Sequence, residues 1–133
     1  MHKIITAFAT DDGLTFMDRH FGDALQYDIY EINSTEVNFI RTITNSVDEE
    51  AMHADPNKAK GIAGLLKQDG VQVLVSKKFG ANINRMKKMF VCILMNDKQI
   101  SGSITTIQQH FEHIIKELGK GEERHFLNMK SKI

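Results

Sequence analysis

A handful of residues in this chain have types and spacings that can do chemistry. From Val71 to Met86 the sequence reads VQVLVSKKFGANINRM. A β-branched run stops at Ser76, and Lys77, Lys78, Gly80 and Asn82 follow. A strand that ends in a basic, glycine-containing loop ahead of a helix start collects unpaired backbone N–H groups, a partial positive dipole and two ammonium groups at one sheet edge. Asn82 is expected to cap a short helix that begins near Ile83. The chemistry served is anion binding. Taken alone, the plainer account is an ordinary strand–helix turn with solvated lysines.

A second group lies upstream. Arg19, His20, Phe21 and Gly22 stand together in LTFMDRHFGDA, a segment without clear periodicity. An imidazole beside a guanidinium on such a loop is a candidate contact for a soft metal or an anion. Gly22 marks a position where the backbone bends or is approached closely. A lone histidine, however, is more often a surface or partly packed residue. Asp11 and Asp12 follow the first strand in ATDDG; they can bind Mg²⁺ or serve hydrolysis, but Asx-type turn bonds are the preferred account. Met52 and His53 are the only soft ligand types in the acidic stretch from Thr44 to Asp55. Cys92 lies within an apolar strand and reads as a small buried hydrophobe. His110 and His113 can share a metal only with a third ligand that the sequence does not offer, so they read as solvated.

The elements that must position these residues follow from periodicity. Lys3–Ala9, Gln26–Ile32, Val37–Ile43, Val71–Val75 and Phe90–Met95 read as strands. Asn33, Ser34 and Thr35 join the second and third as an antiparallel hairpin, and the short first connection places the second strand antiparallel to the first. Asp55 and Pro56 open a helix whose apolar face is Ala59, Ile62, Ala63 and Leu66, closed by Gly70. Ile83, Met86 and Met89 mark a short second helix. Ser101–Leu118 reads as one last helix with Ile104, Ile107, Phe111, Ile114 and Leu118 on a stripe. The order is βββαβαβα, an α/β chain whose crossovers contain the helices that parallel pairs require. One domain is expected over 1–118, with a charged tail over 119–133 that frays or forms a short appended helix.

Composition agrees with a single core. The chain has 133 residues, 41% hydrophobic and 26% charged, within the ordinary globular range. Lys+Arg and Asp+Glu both number 17, so general nucleic-acid binding has no support. One cysteine excludes an intramolecular disulfide and favours a reducing compartment. There is no long apolar run, and residues 1–10 lack the pattern of a signal peptide; a cytoplasmic protein without membrane contact is expected.

Three pieces in fixed order, ATDDG, HFGDALQYDIYEI and GVQVLVSKKFGANINRMKKMF, resemble the dinitrogenase iron–molybdenum cofactor biosynthesis family over roughly Lys3 to Met95. The resemblance implies a ribonuclease-H-like fold: a mixed five-stranded sheet with the second strand antiparallel, flanked by helices. It implies small proteins that carry or insert the nitrogenase cofactor or its precursor. It also implies that the histidine of the HFG motif, here His20, contacts the cluster. Histidines in the loop before the first long helix are another family trait, and His53 is the one present. The loop after the fourth strand keeps Gly80 and Asn82 but lacks the proline often found there.

The expected function is therefore a non-catalytic binding or carrier protein for an anionic iron–sulfur or iron–molybdenum–sulfur cluster, held weakly. Metal contacts are expected from His20 and His53, and the wider site from Arg19, Phe21, Gly22, Lys77, Lys78, Gly80 and Asn82. Cluster donor and acceptor proteins are the expected partners, to a monomer or weak homodimer. The alternative is a cofactor-free, partner-binding or regulatory domain. Nuclease activity is disfavoured, because KIITAFA places no carboxylate inside the first strand.

Overall fold

The structure is a computed structural model that describes residues 2–45 and 61–130. His53 and the helix start at Asp55 and Pro56 lie outside the described residues. The sheet has six strands, in the order β3-β2-β1-β4-β5-β6. They are β1 (Ile4–Thr10), β2 (Gln26–Ile32), β3 (Val37–Thr44), β4 (Val73–Ser76), β5 (Val91–Leu94) and β6 (Leu127–Asn128). β2 runs antiparallel to both β1 and β3, while β1, β4, β5 and β6 are parallel in succession. Four α-helices are present among the described residues: α1 (Gly61–Gln68), α2 (Ile83–Met89), α3 (Ile100–Gln109) and α4 (Phe111–Leu118).

β1 is the middle of the molecule because its side chains are apolar on both faces. Ala7 and Ala9 join Leu74, Cys92, Phe21, Phe79, Leu66 and Met86 in a core under α1 and α2. Ile4 and Phe8 join Val73, Val75, Ile93, Ile107, Phe111 and Ile114 in a second core under α3 and α4. A sheet covered on both faces needs near-continuous apolar strands, which explains the VLV and VCIL runs. Asn33 closes the β2–β3 hairpin, its Oδ1 accepting the N–H groups of Thr35 and Glu36.

Three expectations are corrected. The sheet has six strands instead of five: beyond residue 118 the chain makes a 3₁₀ turn at Gly121–Glu123 and then β6, which pairs Leu127 with Ile93 and Asn128 with Leu94. Burial of Leu127 and the bond from Met129 N–H to Leu94 O hold it there. The last helix is two helices. His110 breaks it: its backbone is at φ −107, ψ 20, and its ring Nδ1 turns back to Thr106 O at 3.0 Å. A side chain that competes for the i−4 carbonyl favours such a break. Finally, the helical backbone begins ahead of Asn82. The chain becomes helical earlier, in a 3₁₀ turn over Gly80–Asn82 with Phe79 at its N-cap. Among the described residues no helix is long and apolar enough to cross a membrane.

Candidate functional site

Parallel pairing of β1 with β4 brings the two sequence-predicted groups to one edge of the sheet. After β1 the chain turns at Asp12. The Asp12 carboxylate accepts the N–H groups of Leu14 and Thr15 at 2.8 Å and the Thr15 hydroxyl at 2.8 Å. Those bonds, the Thr15 N–H foremost, hold its carboxyl down at about 2. Asp12 is thus a turn residue, as the sequence favoured. Both Asp11 carboxylate oxygens accept from Arg19 Nη2 at 2.8 Å, and Oδ1 also accepts the Leu25 N–H at 2.9 Å.

The Asp18–His20 segment then runs beside Lys77 and Lys78. His20 forms a parallel bridge with Lys78, and the Phe21 N–H donates to Lys78 O at 2.9 Å. Phe21 is fully buried; its ring stacks on Phe79 at 5.4 Å between centroids, and its carbonyl accepts the Tyr27 hydroxyl at 2.7 Å. Phe21 therefore anchors the loop from beneath, with its side chain in the core. Burial, and to a lesser extent Asp23, pushes the Tyr27 phenol up, so it stays a hydrogen donor to Phe21 O. Asn45 Nδ2 donates to the carbonyls of Gly22 and Ala24, tying the same turn to the end of β3.

His20 and Gly80 meet directly. A Cβ built on Gly80 would lie 2.8 Å from His20 Nδ1, 3.0 Å from Cγ and 3.1 Å from Cε1. Gly80 also has φ +73, a left-handed conformation that favours glycine. The imidazole rests against a loop that favours a residue without a side chain, with Nε2 the ring nitrogen farther from it. His20 is exposed to solvent. Gly22 differs: a Cβ there would meet nothing within 4 Å, so of a bend or a close approach, no close approach by the protein itself is present.

The positive field is smaller than the sequence implied. Arg19 is paired with Asp11 at 2.8 Å, and Lys77 with Asp18 at 3.6 Å. Lys78 Nζ reaches only the Asp18 carbonyl, at 3.4 Å, and among the described residues it has no carboxylate partner. The edge thus presents one exposed imidazole and one unbalanced ammonium. Among the described residues no group of three or more His, Cys, Asp or Glu side chains can hold a metal ion. Cys92 is buried in β5, its thiol pushed up to about 12 by burial. Asp11, Asp18 and Phe79 are the positioning residues that sequence reasoning missed; ATDDG, LTFMDRHFGDA and KKFG hold them in turn, but only the fold shows what they brace.

The fold and its edge define a small α/β domain with a histidine-bearing loop beside a lysine–glycine turn. The chain belongs to the dinitrogenase iron–molybdenum cofactor family, whose model matches residues 2–110. Among solved structures it is similar to a crystal structure from Methanocaldococcus jannaschii of a protein provisionally described as a dinitrogenase. That match has a TM-score of 0.59 at 18% identity and covers 82% of this chain and 91% of that one. An NMR structure of a protein so described from Methanococcus jannaschii gives a TM-score of 0.55 at 14% identity, covering 84% and 92%. At these identities the likeness shows the fold alone. No curated protein matches the chain at a significant level.

Proposed function

We propose that the chain binds an anionic iron–sulfur or iron–molybdenum–sulfur cluster as cargo and passes it on without catalysis. The observation that carries this reading is the seating of the exposed His20 ring on Gly80 beside Lys78. Such clusters are soft and negatively charged, and suit an imidazole nitrogen with a cation nearby. Nε2 of His20 is the ligating atom and Lys78 the principal charge. Arg19 and Lys77 brace the loop through Asp11 and Asp18. His53 is a second ligand by family resemblance. One or two ligands on an open edge suit a carrier that must release its load. Donor and acceptor proteins in a reducing cytoplasm are the partners, and the chain acts as a monomer or weak homodimer. The order β3-β2-β1-β4-β5 with β2 alone reversed supports a ribonuclease-H-like ancestry for the sheet.

The second reading is a cofactor-free partner-binding domain. It is favoured by the ion pairs that neutralise Arg19 and Lys77. Anaerobic reconstitution with iron, sulfide and molybdate, followed by desalting, metal analysis and an absorption spectrum, separates the two. The carrier reading expects a coloured protein that retains metal and loses it to a chelator. A colourless, metal-free product supports the second reading.

A further inference from the structure

His110 and His113 have no part in the edge described above. They open into a cavity of about 340 Å³ between the α3–α4 junction and β6, whose polar lining is completed by Thr106, Asn128 and Lys130. Leu127 and Met129 supply the apolar wall. β5 separates this cavity from β4 and the loop that carries Lys78.

Its polar lining pairs donor groups with one imidazole acceptor. Among the described residues no carboxylate lines it. His110 Nδ1 lies 3.0 Å from Thr106 O; a carbonyl only accepts, so Nδ1 carries the hydrogen and Nε2 is left free. Asn128 Oδ1 accepts the Lys130 N–H at 3.1 Å, which commits the acceptor end of that amide and leaves its Nδ2 hydrogens available. Lys130 forms no ion pair among the described residues, so its ammonium is available too. An ammonium and an amide donor on a wall without a carboxylate among the described residues suit negative charge, and Lys130 opposes a metal cation.

We propose that this cavity binds a small oxyanion, phosphate or a low-molecular-weight carboxylate, independently of the His20 edge. Its volume exceeds what a single ion fills, so one such molecule enters with water. Binding is in the millimolar range, since the cavity is open and the charges are screened.

The test is an NMR titration of the cluster-free full chain with inorganic phosphate and, separately, acetate, at constant pH and with NaCl balancing ionic strength. The ring signals of His110 and His113 are followed, with that of His2 as internal control. The proposal expects saturable shifts at His110 and His113 that His2 does not share, and affinity about tenfold weaker in Lys130→Gln, where one charge-assisted contact is lost. The stronger of the two titrants identifies the headgroup. His110→Gln should also weaken binding; because it touches the helix junction, Lys130→Gln is the deciding variant. Shifts that do not saturate, shifts that NaCl alone reproduces, affinity unchanged in Lys130→Gln, or saturable binding of Zn²⁺ but of neither anion would each overturn it.

Discussion

Replacing Gly80 with alanine places two costs on one atom. At φ +73 an L-residue is disfavoured by roughly 1–2 kcal/mol. The new Cβ would also stand 2.8 Å from His20 Nδ1, so the ring must swing away. That ring is the end of an exposed side chain, and moving it costs about 0.5–1 kcal/mol in lost contact and rotamer strain. The sum is about 2 kcal/mol. For a chain of 133 residues this lowers the thermal midpoint by roughly 5–10 °C. The assay is thermal and urea unfolding of four proteins: the parent, Gly80→Ala, His20→Ala and the double variant. With the imidazole removed, only the backbone part of the cost remains, so the two substitutions should couple by about 0.5 kcal/mol or more. The His20 ring resonances should also shift in Gly80→Ala. An equal cost in both backgrounds, with the His20 signals unmoved, refutes the contact on which the site is built.

The Cys92 thiol, pushed up to about 12 by burial, should resist iodoacetamide in the native protein at pH 8 and react on unfolding, as mass spectrometry reads directly. Because its folded value is the raised one, the stability it contributes is complete below about pH 9 and is lost as pH rises toward about 12. Asp12 has the opposite sign. Its carboxyl is depressed from 3.8 to about 2, so its turn contributes stability above pH 3.8 that is lost as pH falls toward 2. A carboxyl-carbon NMR titration should show that step, and Asp12→Asn should abolish it. Lys78→Ala should weaken cluster retention and its salt sensitivity more than Lys77→Ala, since Asp18 already balances Lys77; metal retained after gel filtration at low and high salt compares the two.

The sheet was legible wherever burial imposed a pattern. β2 was read with its ends as observed, and the other strands through β5 to within a residue or two, because apolar alternation or continuity marks a covered face. β6 was not legible: a two-residue strand with one buried leucine has no period to detect. The break at His110 was hidden because the stripe of Ile107, Phe111 and Ile114 continues across it. The sequence placed His20 and Gly80 in the same site, but their contact depends on β1 lying parallel to β4, which no local pattern states. The neutralisation of Arg19 and Lys77 was equally out of reach, since Asp11 and Asp18 read locally as turn and loop acids. Phe21 and Gly22 were named with His20 by adjacency; the fold gives the first to the core and leaves the second in open space.

Metal and absorbance retained after anaerobic reconstitution and desalting, compared between His20→Ala and Cys92→Ala, test the central assignment most directly. If the exposed imidazole holds the cluster, the histidine variant loses most of the bound metal while its circular dichroism is unchanged, and the cysteine variant keeps its load. Retention in the histidine variant together with loss in the cysteine variant would contradict the assignment.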